Sequence, residues 1–141
     1  MKIGVSSYSF IRLVRSGQLK QIDVVHKAKE IGFDVIEFIP FKLEEGESAK
    51  DFAARVKEEC DKVGIEIGGY TVGADFINGS NGDLDAEIER VKGEVDIANI
   101  LGAKIMRHDA TIGFPREHKG PRDFDAALPR LVEGCRAVTE Y

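Results

Sequence analysis

The sequence predicts an α/β fold of four consecutive βα units with a parallel sheet, about half of a TIM (β/α)8 barrel. Three glycines, Gly32, Gly64 and Gly102, each lie between an amphipathic helical stretch and a short apolar run. A glycine in this position is typical of a helix C-terminal cap that leads into a strand. The intervals of 32 and 38 residues hold one strand and one helix each, as a repeated unit requires. Residues 1–141 are therefore expected to form a single domain, a (βα)4 half-barrel.

The predicted strands are apolar runs that contain few alternating polar residues. Such strands are buried on both faces, which implies helices on the outside and packed side chains or a partner on the inside. The strands are expected at residues 2 to 7 or 8, 35–39, 65–72 and 103–108. The inner face is expected to draw on Ile3, Val5, Ile36, Phe38, Ile67, Ile105 and Met106. An open half-barrel would expose this face and two strand edges, which favours a homodimer or higher homo-oligomer.

Four helices are predicted from apolar residues that recur at helical spacing. They cover residues 19–31, 48–63, 84–101 and 125–140, and a polar stretch precedes the first of them. Ser48 and Asp83 have the residue types and positions of N-caps. Pro129 fits best if the last helix begins at Asp125, because a proline is tolerated only in a first turn.

Composition excludes several classes of function. The net charge of −5 and a pI near 5.3 disfavour nucleic acid as a partner, because phosphate neutralisation needs a clustered basic face. No run of 18 apolar residues occurs and no basic leader precedes the first strand, so a cytoplasmic protein without a membrane span is expected. Cys60 and Cys135 lie at helical core spacing and are expected to be buried free thiols.

Candidate site residues are the polar ones at the carboxyl ends of the strands, where parallel α/β proteins hold their ligands. Glu37 lies in the middle of an apolar run, where a carboxylate needs a partner. It is either a mouth residue that contacts a ligand or one half of a structural ion pair, with Arg107 as a candidate partner. The candidates are Ser7, Tyr8, Ser9, Glu37, Tyr70, Thr71, Asp75, Arg107, His108 and Asp109.

The densest polar cluster is Arg107-His108-Asp109. Because side chains alternate along a strand, Arg107 and His108 cannot share a face, and His108 points inward if Met106 does. A basic loop follows, and its Arg116, Lys119 and Arg122 either clamp a phosphate or carboxylate or remain solvated.

Two further patterns bear on ligands. Gly68-Gly69 indicates a bulge or a close backbone approach rather than a phosphate nest. The sequence contains no metal-ligand motif of known spacing.

Four segments resemble the sugar phosphate isomerase/epimerase family, with its xylose isomerase-like TIM barrel, in its amino-terminal half. They are KIGVSSYSF, KAKEIGFDVIEF, GGYTVGADF and VDIANILGAKIMRHDAT. The resemblance implies a small-molecule sugar or sugar phosphate as partner. The substrate-binding residues that it implies are Tyr8, Phe10, Glu37, Tyr70, Asp75 and His108.

Members of that family resemble complete barrels with a divalent metal (Mn, Mg, Co or Zn) held by strands of the carboxyl-terminal half. The resemblance therefore implies no cofactor in this chain itself, and a fifth strand is due just after Tyr141. The implied chemistry is proton transfer beside a sugar carbonyl in a complete barrel, with the isolated chain inactive. The alternative is a non-catalytic binding or assembly module that retains the half-barrel scaffold. Apurinic endonucleases share the architecture, but the acidic charge balance disfavours that branch.

Overall fold

A computed structural model describes residues 1–141. Its strands form one four-stranded parallel sheet in the order β1-β2-β3-β4. Each strand lies beside its neighbour in sequence, as consecutive βα units require, so the predicted fold class is confirmed. The strands are β1 (Gly4–Ser6), β2 (Val35–Phe38), β3 (Glu66–Val72) and β4 (Met106–His108). The α-helices are α1 (Ile11–Arg15), α2 (Val24–Ile31), α3 (Ala49–Val63), α4 (Leu84–Leu101) and α5 (Phe124–Thr139). Two 3₁₀ turns cover Ser7–Phe10 and Gly79–Gly82. None of the helices is both long and apolar enough to cross a membrane.

The three glycines that recur along the sequence each end a helix, as predicted. Gly32, Gly64 and Gly102 have φ angles of 104°, 68° and 69°, in the left-handed region where a Cβ is disfavoured. Ser48 and Asp83 are confirmed as N-caps. The Ser48 hydroxyl accepts from the Asp51 amide at 3.4 Å, and the Asp83 carboxylate accepts from the Ala86 amide at 3.1 Å.

The segment between β1 and α2 differs from the prediction. A 3₁₀ turn and α1 occupy most of the predicted polar stretch, and α2 begins at Val24 rather than at residue 19. The turn is stabilised because the Ser6 hydroxyl accepts from the Tyr8 amide and because Phe10 is buried. Residues 20–23 form a tight turn instead of a first helical turn, since the Asp23 amide donates to the Lys20 carbonyl.

The start of α5 also differs from the prediction. Asp123 is the N-cap, and its carboxylate accepts from the Ala126 amide at 2.9 Å. Pro129 therefore lies in the second turn of the helix, not the first. A proline there has no N–H for the carbonyl four residues earlier, so α5 tolerates one missing hydrogen bond.

Chain contacts divide the protein into two compact units. The first unit comprises residues 1–71 and 96–107, and the second comprises residues 72–95 and 108–141. The core of the first unit contains Val25, Ile36, Phe38, Val56 and Tyr70. The core of the second unit contains Val72, Phe76, Ile88, Val91 and Val138.

The apolar residues predicted for the open inner face of the sheet do not all lie on that face. Ile36, Phe38 and Ile67 are buried, with 0%, 2% and 7% exposure, so they pack towards the helices and do not form the open inner face. Strand alternation then directs their neighbours to the open face. That face carries mostly small or polar residues together with Ile105, which is 67% exposed. The predicted apolar inner face is therefore wrong for these three residues.

A β-bulge at Gly68 adjusts β3 against β2, as the glycine pair indicated. Ile36 pairs with Ile67, but Glu37 pairs with Gly69, so the register shifts by one residue at Gly68. A Cβ on Gly68 would lie 2.6 Å from Cγ1 of Val35, which leaves no room for a side chain. The bulge keeps Ile67 and Tyr70 on the helix side although three positions separate them.

Both cysteines are free, and burial differs between them. Cys60 is buried as predicted, and burial raises the pKa of its thiol to about 12. Cys135 is only half-buried, and burial raises the pKa of its thiol as well. Cys60 therefore acts as a small apolar core residue rather than as a nucleophile.

Two helical glycines should respond in opposite ways to a methyl group. We expect Gly134→Ala to destabilise the protein by about 1–3 kcal/mol, because the added Cβ would lie 2.4 Å from the Phe76 ring. Gly93→Ala should stabilise it by up to about 1 kcal/mol, since nothing lies within 4 Å of its Cβ position. Urea unfolding of both variants measures the difference, and equal effects would contradict the packing of Phe76 against α5.

Candidate functional site

A cleft of about 550 Å³ lies on the open face of the sheet, within the first unit. Its polar side chains are those of Ser6, Glu37, Thr71 and Arg107, one from each strand of the sheet. On β2 and β3, strand alternation accounts for the positions of Val35, Glu37 and Thr71, because their neighbours Ile36, Phe38 and Tyr70 are buried on the helix side. The side chains that face the cleft include those of Ser6, Val35, Glu37, Thr71, Ile105 and Arg107.

Glu37 is half-buried in the cleft and is held by Ser6. The Ser6 hydroxyl donates to Oε1 of Glu37 at 3.0 Å. The two residues are register partners in the parallel pair β1–β2, so the sheet itself places their side chains together. Arg107 lines the same cleft as Glu37, and the structural ion pair between them that the sequence suggested stays a prediction. A carboxylate has about four acceptor positions, and one hydrogen bond leaves room for a ligand.

Arg107 lines the same cleft, whereas His108 does not. The His108 ring lies edge-on to Phe76, with centroids 5.9 Å apart, and its Nδ1 is 2.7 Å from the Asp109 carbonyl. Phe76 is fully buried in the second unit, so this contact places His108 with that core. Met106 does not line the cleft, which is consistent with its sharing a face with His108.

Tyr70 borders the cleft, but its side chain is only 1% exposed. Its ring lies 6.2 Å from that of Phe41, among the aromatic residues of the first unit. Tyr70 therefore lines the cleft with its backbone and not with its phenol group. Tyr8 is 64% exposed and Phe10 is 7% exposed, and neither lines the cleft.

Asp75 organises a loop of the second unit. Its carboxylate accepts from the side chains of Asn78 and Thr111, at 2.7 and 2.8 Å, and from the amides of Ile77 and Asn78. Burial by itself raises the pKa of Asp75, but the hydrogen bonds from Asn78, Thr111 and the two amides outweigh it and hold the pKa below its usual value. These acceptor positions of Asp75 are thus in use within the second unit, and its predicted contact with a ligand stays a prediction.

Glu87 is a buried carboxylate that the sequence did not single out. It is 2% exposed, and it accepts from the Arg90 guanidinium at 2.7 and 2.9 Å, from the Ser80 hydroxyl and from the Asp75 amide. The hydrogen bonds from Arg90 hold the pKa of Glu87 below its usual value against the opposing effect of burial. In the sequence, only the three-residue spacing between Glu87 and Arg90 on α4 indicated this pair. Such pairs are common on surface helices, so the spacing did not indicate that Glu87 is buried.

The side chains of this chain do not fit the divalent metal that the family resemblance implies for a complete barrel. Nowhere in residues 1–141 do three or more His, Cys, Asp or Glu side chains come together in a group that could bind a metal ion. No chemical step is therefore assigned to a metal here.

A parallel sheet whose strands lie in sequence order, with helices between consecutive strands, is typical of β/α-barrel proteins. The sequence profile described as "xylose isomerase-like TIM barrel" matches residues 25–141. The chain belongs to this family. A search of curated proteins found no match.

Three solved structures illustrate the similarity of fold. The protein SMc04130 from Sinorhizobium meliloti 1021 has a TM-score of 0.67 at 20% identity, covering 96% of this chain and 44% of that one. A D-psicose 3-epimerase solved in the presence of D-fructose has a TM-score of 0.68 at 15% identity, covering 99% and 49%. A putative sugar phosphate isomerase/epimerase from Anabaena variabilis ATCC 29413 has a TM-score of 0.64 at 19% identity, covering 99% and 48%. This chain thus spans about half the length of these structures, and at such identity the likeness shows the fold alone.

Proposed function

We propose that this chain is a sugar phosphate isomerase/epimerase-like protein that binds a small sugar or sugar phosphate in the open-face cleft. In a complete barrel, the reaction would be proton transfer beside a sugar carbonyl. The observation that carries the proposal is the Ser6–Glu37 pair, with Arg107 and Thr71 lining the same cleft. The family and the similar folds of the epimerase and of the putative isomerase/epimerase support the substrate class.

Each polar side chain has a role in this proposal. Glu37 accepts hydrogen bonds from sugar hydroxyls, and Ser6 keeps its carboxylate oriented. Thr71 adds a hydroxyl that both donates and accepts. Arg107 attracts the negative charge of a phosphate ester or of a carbanion that forms beside the carbonyl. The cleft has room for one ligand of sugar size.

The second candidate is a non-catalytic binding or assembly module, and the donor set favours it for this chain alone. Proton transfer of this kind draws on a metal to stabilise negative charge, and no group of three or more metal-ligating side chains is present in residues 1–141. Binding and turnover are therefore tested separately.

Glu37→Gln should weaken sugar binding. A hydrogen bond to a charged group contributes about 1.5–3 kcal/mol, which corresponds to a Kd about 10- to 100-fold higher. NMR titration with ketoses and their phosphate esters measures the Kd. Glu58→Gln is the matched control, because Glu58 is exposed on α3 and lies outside the cleft.

An unchanged Kd in the Glu37→Gln variant would contradict the role of Glu37. Equal losses in the Glu37→Gln and Glu58→Gln variants would also contradict it, since a loss of overall charge would then explain the effect.

The 141-residue chain should show no metal-dependent isomerase turnover, because its residues form no three-ligand group. Aldose and ketose panels incubated with manganese, magnesium or cobalt provide the assay. Robust turnover that a chelator abolishes would contradict this expectation and would show that the chain alone is catalytic.

A homodimer is the proposed assembly, and the sheet edges are its basis. β1 and β4 lie at the two ends of the strand order, so each presents unpaired backbone groups on one side. Ile105, beside β4, is 67% exposed on the open face, and Ile3, beside β1, is 52% exposed. Pairing β4 of one copy with β1 of another would satisfy the edges and bury both isoleucines.

Ile105→Lys should convert the dimer to a monomer, because a lysine on the open face would place a charge in the interface. Light scattering at micromolar concentration should give twice the 15.5 kDa chain mass for the parent protein and the single mass for the variant. Ile112→Lys is the control, since Ile112 is 89% exposed in the second unit. A folded monomeric parent protein would refute the assembly.

A further inference from the structure

A second cleft, of about 400 Å³, lies within the second unit. It is formed by the loop after β3, the loop after β4 and one side chain of α5. The residues that matter to the argument are Asn78, Asn81, Phe114, His118 and Arg130. All of them are outside the open-face cleft of the first unit.

Arg130 brings an unneutralised positive charge to this cleft. Its Nε donates to the Phe76 carbonyl at 2.9 Å, and its Nη2 donates to the Gly82 carbonyl at 2.8 Å. Arg130 forms no ion pair with a carboxylate. A guanidinium has five N–H donors, so three remain for a ligand. The two carbonyls hold the group in place before any ligand arrives, which lowers the entropy lost on binding.

The walls of the cleft are also fixed. The Phe114 and His118 rings are stacked, with centroids 4.5 Å apart and planes 27° from parallel. The side-chain Nδ2 of Asn78 donates to the Asp75 carboxylate and to the Gly113 carbonyl, both at 2.7 Å. Asn81 is exposed at the rim with a φ of 60°.

The loop that carries Phe114 and His118 adds positive charge. Residues 116–122 contain Arg116, Lys119 and Arg122 against the single carboxylate of Glu117, in a chain of net charge −5. The Arg122 guanidinium donates to the carbonyls of Arg116 and His118, so it braces the loop rather than projecting as a solvated clamp. The sequence left open whether this loop clamps an anion or remains solvated, and the guanidinium that lines the cleft is that of Arg130.

We propose that this second cleft binds a phosphate group, as inorganic phosphate or as a phosphate monoester. A fixed guanidinium with three remaining donors suits an oxyanion that offers several acceptor oxygens. The small volume and the stacked ring wall suit a small ester rather than a polymer, and the acidic chain disfavours nucleic acid. The proposal does not depend on sugar binding in the open-face cleft, because no residue is shared.

Titration of the full chain with inorganic phosphate at constant ionic strength tests the proposal. Calorimetry and NMR should show saturable binding, with shifts at Phe114, His118 and the Arg130 side chain. Asn81→Asp places a negative charge at the rim, where aspartate tolerates the same backbone conformation, and should raise the Kd about fivefold or more. Asn99→Asp is the matched control, because Asn99 is exposed on α4 and does not line the cleft.

Arg130→Lys keeps the charge but loses the planar donor set, so it should also weaken binding about fivefold or more. A pair of ligands, a hexose and its 6-phosphate, identifies the source of the phosphate. If the ester binds more tightly than inorganic phosphate, the ligand of the second cleft is a phosphate monoester. If the two affinities are equal, the ligand is the phosphate ion itself. Absence of saturable binding up to about 10 mM, or equal affinities of the Asn81→Asp and Asn99→Asp variants, would overturn the proposal.

Discussion

The alternation of side chains along β2 and β3 places Glu37 and Thr71 in the open-face cleft. Ile36, Phe38 and Tyr70 are at most 2% exposed, and burial of each contributes about 1.5–3 kcal/mol. A slip of one residue in β2 would exchange Ile36 and Phe38 for Glu37, and the buried carboxylate would add several kcal/mol of penalty. Hydrophobic burial on the helix side thus places Glu37 in the cleft, and the parallel register brings Ser6 beside it.

The second unit depends on a different interaction, the network around two carboxylates. Glu87 joins α4 to the loop after β3, because it accepts from Arg90, from Ser80 and from the Asp75 amide. The Asp75 carboxylate in turn accepts from the Thr111 hydroxyl, which belongs to the loop after β4. Polar groups with such complete hydrogen bonding hold irregular loops in one conformation. The proposed phosphate site is built on these same loops, so its rigidity follows from this network.

The site residues expected from the sequence separate into distinct roles in the structure. Glu37 lines the cleft, whereas Phe10 and the Tyr70 side chain are buried in the first unit, and Tyr8 is exposed at its surface. Asp75 and His108 make their contacts in the second unit. Position at the carboxyl end of a strand is therefore not sufficient to select a ligand-binding residue. The face of the strand matters equally: on that criterion Thr71 and Arg107 remain candidates, and Ser6 is added.

The sequence by itself determined the repeated βα unit, because helix caps and apolar periodicity are local properties. Gly32, Gly64 and Gly102 need only their own backbone conformation to end a helix, so their spacing revealed the fold class before any tertiary contact was known. Only the tertiary structure decided which strand face is covered, since Ile36 and Val35 are equally apolar and the bulge at Gly68 shifts the alternation. It also decided the partners of Glu37 and Arg130, because Ser6 lies 31 residues from Glu37 and Phe76 lies 54 residues from Arg130 in sequence. Such distant pairs form only when the whole chain packs, and local patterns carry no record of them.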